Sequence, residues 1–228
     1  MSARRRTPRD ERRRRLGQNF LSPEIAERIV AEADFRPGEL VIELGAGLGA
    51  ITIALARREV HVVAIEIDLV WAERLRERAG EALQYNVRVV KGDFLSLSLP
   101  NRPFRVIGSL PFGHTTDVLH RLLDDPCLPL ERADLIVQLE VARKRAALPS
   151  STLLSTTWVP WWEFRLGRQV PATAFRPVPR VDSGVLIITR RQPPLLPPAM
   201  ARSYSEFVRS HWPFDRSVSR MSGRPTSF

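Results

Sequence analysis

Gly45, Gly47 and Ala50 stand at the spacing G-x-G-x-x-A, and Glu66 follows Gly45 by 21 residues. Glycine at the first two places lets the backbone turn sharply and lets a ligand approach it with no Cβ in between. A carboxylate about 20 residues on, at the end of the next strand, can accept hydrogen bonds from both hydroxyls of a ribose. Asp93 and Phe94 form a second pair with chemical use: a carboxylate for the exocyclic amine of a purine and a ring to lie against it. The same pair also reads as a strand-end turn with a packed aromatic. From these residues alone a nicotinamide dinucleotide and S-adenosylmethionine are both acceptable ligands, and so is a glycine turn that binds nothing.

Only a sheet can bring these positions together. The apolar run Leu40-Val41-Ile42-Glu43-Leu44 ends at the glycines and resumes as a helix over 51–56, the pattern of a strand buried on both faces and followed by a tight turn. A second buried strand over 61–66 carries Glu66 at its end, and a charged amphipathic helix over 68–83 and a third strand over 87–90 lead to Asp93. Strand four, over 104–108, runs into Ser109-Leu110-Pro111-Phe112; a helix over 116–123 follows, and strand five is expected over 135–139. Upstream, Ser22 can cap a helix over 24–33 that has Pro23 at its first position.

Downstream, 140–145 is a basic helical or loop segment. Trp158, Trp161, Trp162 and Phe164 read as a late strand with packed aromatics, an exposed member of which could stack a base. A proline-spaced loop over 170–180 precedes a strand over 185–189 that is expected to close the sheet. At least five strand and helix alternations predict an α/β fold with a doubly wound, Rossmann-like, mostly parallel sheet. Ligands of such sheets sit at the carboxyl ends of the strands, where the glycines, Glu66, Asp93 and Ser109 all fall.

With 228 residues the chain can bury the core of one α/β domain without staples. A single cysteine, Cys127, excludes an internal disulfide and a multi-cysteine zinc site, and four scattered histidines have no metal-ligand spacing, so no metal is expected. No apolar run approaches the roughly 20 residues of a membrane span, and the arginine-rich start has no signal-peptide core, which predicts a soluble cytoplasmic protein and no membrane partner. The net charge of +10 is concentrated in residues 1–15, which hold eight arginines against Asp10 and Glu11. Such an arm has too few apolar residues to fold alone and suits a run of phosphates, where released counterions drive binding; its plainer alternative is a solvated tail. From Gln192 the composition turns proline-rich, a short helix is expected over 200–211, and 217–228 reads as disordered.

In order along the chain, Gly17-Gln18-Asn19-Phe20-Leu21, Glu43 to Gly49, Ala64-Ile65-Glu66-Ile67-Asp68, Gly92-Asp93-Phe94, Leu110-Pro111-Phe112 and Phe175-Arg176-Pro177 through Val181-Asp182-Ser183 resemble the motifs of one family. It is the ribosomal RNA adenine-N6 methyltransferases, which include the Erm macrolide-resistance enzymes and the small-subunit rRNA dimethyltransferases. The resemblance runs from about 16 to 191 and implies S-adenosylmethionine as cofactor. Carried over to this sequence, it puts Asn19 and Leu21 over the methionine end, Gly45 and Gly47 along the ligand, Glu66 on the ribose and Asp93 near adenine N6, with Ser109 beside the cofactor. It gives Ser109, Leu110 and Phe112 the catalytic places: two acceptors for the target amine and an aromatic that stacks on the flipped base.

Two departures stand out. Ser109 occupies the place of the family's usual Asn, so the Leu110 carbonyl is expected to carry more of the amine contact. Only 37 residues follow Arg191, where the family usually adds a helical domain. The expected layout is an RNA-binding arm over 1–15, a methyltransferase domain over 16–191, and a proline-rich linker and short tail over 192–228. Thr115-Thr116-Asp117 and the arginine arm resemble the Erm branch. The resemblance therefore implies a monomeric enzyme that methylates adenine N6 in protein-free 23S rRNA or an early precursor and confers macrolide, lincosamide and streptogramin B resistance. A 16S rRNA dimethyltransferase and a non-catalytic RNA-binding protein on the same scaffold are the alternatives.

Overall fold

A computed structural model describes residues 19–82 and 86–212 of the chain. The arginine arm, the Leu16-Gly17-Gln18 start of the first motif, Leu83 and residues 217–228 lie outside the described residues.

The chain begins with β1 (Phe20–Leu21) and α1 (Pro23–Ala33). Ser22 caps α1 as expected, its hydroxyl accepting from the Ile25 N–H at 3.4 Å, with Pro23 in the first turn where no N–H is needed. Then follow β2 (Leu40–Leu44), α2 (Ala50–Ala56), β3 (His61–Glu66), α3 (Leu69–Ala82), β4 (Val87–Lys91), β5 (Phe104–Ser109) and α4 (Thr115–Leu123). The second half holds β6 (Leu130–Gln138), α5 (Leu139–Arg145), α6 (Leu153–Trp158), β7 (Trp162–Val170), β8 (Phe175–Arg176), β9 (Ser183–Arg190) and α7 (Ala201–Ser210).

Seven strands form one sheet in the order β4-β3-β2-β5-β6-β9-β7, parallel from β4 to β6 and antiparallel at β9 and β7. The mostly parallel, doubly wound α/β sheet is therefore as expected. Its strands are apolar without alternation because helices cover both faces. Ile42, Leu44, Val106 and Leu135 pack into one core and Val41, Val62, Ile107 and Ile136 into the other. Successive strands run outward from β2 on one side and from β5 on the other, so the switch point of the sheet lies between their carboxyl ends.

Several elements differ from the expectation. The fifth strand starts at Leu130, not 135, and ends before Leu139, which opens α5. Its first half hides its character behind charge: Arg132 is bonded to Asp134, and the Arg105 guanidinium lies 3.6 Å from the same carboxylate. Trp158 ends a helix rather than sitting on a strand, and Trp161 is in the turn before β7. None of the three tryptophans is open to a base. Each is buried with its indole N–H occupied, Trp158 by Asp124, Trp161 by the Leu196 carbonyl and Trp162 by the Leu123 carbonyl. The strand expected to close the sheet, β9, lies between β6 and β7, and β7 is the edge. The loop over 170–180 contains β8, which pairs with β1 in a separate two-stranded ribbon, Phe20 opposite Arg176 and Leu21 opposite Phe175.

The proline-rich stretch expected as a linker lies against the body: Leu195 N–H bonds to the Pro160 carbonyl, and Tyr204 of α7 meets Trp161 edge-on at 5.9 Å. Among the described residues no helix is long and apolar enough to cross a membrane.

Candidate active site

The glycine turn leaves β2 at the switch point. Gly45, Gly47 and Gly49 all take positive φ, at 71°, 53° and 83°. At Gly47 the need is doubled, since a Cβ there would stand 3.2 Å from the Phe20 ring. The Ile65 carbonyl takes the N–H groups of Gly45 and Ala46 at 2.9 and 3.1 Å, which fastens the turn to β3. Glu66, the last residue of β3, completes it: Oε2 accepts from Gly47 N–H at 2.7 Å and Oε1 from Asp68 N–H at 2.8 Å. Burial pushes the Glu66 carboxyl above its ordinary range, and these backbone donors pull it back. Each oxygen keeps a second lone pair, so a buried, aligned carboxylate is ready for a vicinal diol.

A cleft partly open to solvent spreads from this turn. Asn19, Gly45, Gly47, Glu66, Ser109, Leu110 and Phe112 line it together. A neighbouring hollow shares Gly45, Ile67, Leu110 and Pro111 with it and adds Asp93 and Phe94. The two adjoin as one bipartite site, with Glu66 in one part and Asp93 in the other.

The Asp93-Phe94 pair forms the strand-end turn with a packed ring, and it also lines the hollow. Asp93 Oδ1 accepts from Leu95 N–H at 3.0 Å and closes the turn, while among the described residues Oδ2 has no partner. Phe94 is buried in the core and still lines the hollow. Leu21 is placed differently from the other named residues: its side chain is buried against α1, away from the cleft lining. Its pairing with Phe175, together with the bond from Ser22 N–H to the Ala174 carbonyl at 2.8 Å, holds Asn19 and Phe20 over the glycine turn.

The opposite wall is the end of β5. Leu110 N–H is held by the Ile136 carbonyl of β6 at 3.0 Å. Among the described residues neither the Ser109 hydroxyl nor the Leu110 carbonyl has a hydrogen-bond partner, so two acceptors are available side by side. Phe112 follows on a single 3-10 turn, Phe112–His114, set by the extended Pro111, and its ring is half-buried in the cleft. This wall fits the task of holding an amine and a flat ring.

Sequence reasoning missed several contributors. Phe20, Phe175 and Pro179 also line the cleft, Phe20 and Phe175 from the two strands of the β1–β8 ribbon. Glu43 lies beneath the turn, 1 % exposed, with Thr52 Oγ1 donating to its Oε2 at 2.6 Å. Its signals were an acid inside an apolar strand and a place at the head of the Glu43 to Gly49 motif.

Comparison with known proteins agrees with this geometry. Residues 9–214 match the family model described as ribosomal RNA adenine dimethylase. Over 205 residues the chain is 46 % identical to an rRNA methyltransferase of Streptomyces thermotolerans, covering 87 % of this chain and 66 % of that protein. It is 40 % identical over 204 residues to the mycinamicin-resistance protein MyrB of Micromonospora griseorubida, covering 89 % and 64 %. The chain thus spans just under two thirds of the length of these relatives. Among solved structures, the 23S rRNA methyltransferase ErmE superposes with a TM-score of 0.76 at 33 % identity, covering 86 % of this chain and 80 % of that one. The matched span takes in every element that builds the cleft, from Asn19 to the β1–β8 ribbon, and the chain belongs to the ribosomal RNA adenine dimethylase family.

Proposed function

We propose that this chain is an S-adenosylmethionine-dependent methyltransferase acting on adenine N6 of 23S rRNA, and that its product protects ribosomes from macrolide, lincosamide and streptogramin B drugs. The carrying observation is the bipartite cleft: Glu66 on a glycine turn, Asp93 beyond it, and two unengaged acceptors beside an aromatic on the facing wall. The names of the relatives support the substrate, one of them a mycinamicin-resistance protein and the superposed structure a 23S rRNA methyltransferase.

When bound, S-adenosylmethionine supplies a sulfonium-activated methyl group with a neutral thioether to leave. Glu66 receives the ribose hydroxyls, Asp93 Oδ2 the adenine amine of the cofactor, and Asn19 with Phe20 cover the methionine end. The target amine is a poor nucleophile because its lone pair is delocalised into the ring. Ser109 Oγ and the Leu110 carbonyl accept its two N–H bonds and favour the tetrahedral geometry in which that pair is free. Phe112 stacks on the flipped base, holds its N6 at the acceptors, and offers its ring face to the positive charge that develops. No side chain needs to ionise for this.

The same reading gives residues 1–15 to RNA phosphates, 16–191 to catalysis and 192–228 to a C-terminal appendage, in a monomer that meets protein-free 23S rRNA or an early precursor in the cytoplasm. Deleting 1–15 then lowers RNA affinity and flattens its salt dependence with cofactor affinity unchanged. The deciding experiment is transfer of labelled methyl to protein-free 23S and 16S rRNA separately, with mass spectrometry of the nucleoside formed. Methyladenine in 23S rRNA alone is expected, and transfer to 16S rRNA alone would overturn the reading.

A further inference from the structure

Glu43 does nothing in the mechanism above and is absent from the lining of both parts of the cleft. Yet it is a carboxyl group buried in an otherwise apolar strand, where burial without partners is costly. Its partner is Thr52, which offers both its hydroxyl, at 2.6 Å, and its backbone N–H. Thr52 stands in the first turn of α2, whose N-cap is Gly49 and brings no side chain to the turn. First-turn N–H groups have no partner within their own helix. Glu43 therefore does from β2 what a capping side chain does from the N-cap.

That bond closes the glycine turn at its base, since the turn leaves β2 just after Leu44 and enters α2 at Ala50. The rest of the turn is fastened from above and from the side: by Ile65 and Glu66 on β3, and by Arg78 of α3, which donates to the Leu48 carbonyl at 2.7 Å. We propose that Glu43 is a positioning residue, which holds the turn over 45–49 in its ligand-ready form by tying Thr52 to β2, without touching the cofactor.

The surroundings say in which form it does so. No helical residue of α2 is charged, and the one charged side chain of β5, Arg105, is engaged by Glu39 and Asp134. On α1, Glu27 and Glu32 are paired with Arg57 and Arg168, and Glu24 and Arg28 are exposed. The remaining neighbour, Glu66 of β3, is another acid that disfavours a charge on Glu43. Burial pushes Glu43 up to about 8, so the tie is made by a neutral acid at neutral pH. Glutamine has the same shape and a carbonyl to accept from Thr52, so it can replace a neutral acid where alanine cannot.

The inference rests on the cofactor reading, and its test separates the two. Amide hydrogen exchange over 45–52 in the ligand-free protein, and calorimetry with S-adenosylhomocysteine, are compared for wild type, Glu43→Gln, Glu43→Ala and Thr52→Val. Alanine is expected to speed exchange over 45–52 and to weaken S-adenosylhomocysteine about tenfold, with Thr52→Val intermediate and glutamine close to wild type. Affinity for 23S rRNA and exchange in β6 and β9 stay unchanged, which a general loss of stability would not allow. Wild-type exchange over 45–52 in the alanine variant, or equal losses in glutamine and alanine, overturns the proposal. Should Glu43→Ala not fold, Thr52→Val decides: it keeps the shape and the backbone donor and removes only the hydroxyl, and unchanged exchange there is equally fatal. Exchange needs no ligand, so a wild type that fails to bind S-adenosylhomocysteine counts against the cofactor reading while the exchange comparison still judges Glu43.

Discussion

On the wall of the cleft built by β2 and β3, the N–H groups of Gly45, Ala46 and Gly47 and both oxygens of Glu66 already have protein partners. On the wall built by β5, the Ser109 hydroxyl and the Leu110 carbonyl have none among the described residues, and the Phe112 ring is half-exposed. The first wall is shaped before any ligand arrives, so binding there costs little ordering. On the proposed function, the second keeps its acceptors for a group held only while it reacts, and binding strength used there acts on the transition state. If this contrast is real, damage to the first wall weakens cofactor binding and damage to the second slows turnover.

The largest effect is expected at Glu66. Glu66→Ala removes the proposed ribose contact and strands the Gly47 and Asp68 N–H groups, which should cost about 1.5–3 kcal/mol, or one to two decades in cofactor affinity. Calorimetry with S-adenosylhomocysteine measures it, and unchanged affinity would mean that Glu66 serves the turn alone. Phe112→Ala should act on the other wall only. Loss of a stacking partner worth about 1–3 kcal/mol lowers the single-turnover rate with cofactor affinity intact, and Phe112→Tyr, which keeps the ring face, should be tolerated. A Phe112→Ala variant that binds cofactor poorly but turns over normally at saturation would merge the two walls.

An effect smaller within any one pH unit sharpens the account of the first wall. Glu43 is raised from 4.5 to about 8 by burial, so the folded state holds a proton that the unfolded chain releases between those values. The stabilising contribution is therefore full below pH 4.5 and is lost as pH rises to about 8. At most this amounts to ~1.4 kcal/mol per pH unit. Denaturant titrations across that window should show wild type weakening with pH relative to Glu43→Gln, in which no proton is exchanged. Parallel curves for the two proteins would show that Glu43 is ionised in the fold.

The prepared wall was also the legible one. Parallel strands buried on both faces read as plain apolar runs, and a glycine turn followed by an acid at the end of the next strand is a local signal that needs no tertiary information. Hence β2, β3 and Glu66 stand where the sequence puts them. What escaped was non-local. The β1–β8 ribbon has two residues per strand, too short for any periodicity, yet it carries Phe20 and Phe175 to the cleft. The start of β6 is masked by charges that only the fold pairs. Trp158 and Trp162 belong to different elements that converge on the end of α4, where Asp124 and the Leu123 carbonyl take their indole N–H groups. Glu43 was visible as a letter, but its use depends on Thr52, nine residues on and one element away.

The smallest and most informative change lies on the second wall. Ser109 presents one hydroxyl, which can rotate to accept from the target amine but is shorter than an amide and has no carbonyl. If the wall owes its open acceptors to the demands of the transition state, a longer acceptor at 109 should hold the amine better. Ser109→Asn is then expected to raise the single-turnover rate about two- to tenfold, the net value of one hydrogen bond, or to shift product towards dimethyladenine, with S-adenosylhomocysteine affinity unchanged. Space exists for the change, because Ser109 is only half-buried and its side chain opens on the cleft rather than the core. Rapid-quench kinetics with nucleoside analysis on the purified variant gives both readouts, and the affinity measurement guards against misfolding. A variant that folds, binds cofactor and yet reacts more slowly than the parent would show that this wall is fitted to serine, with the Leu110 carbonyl as the main acceptor and the hydroxyl leaving room for the amine to approach it.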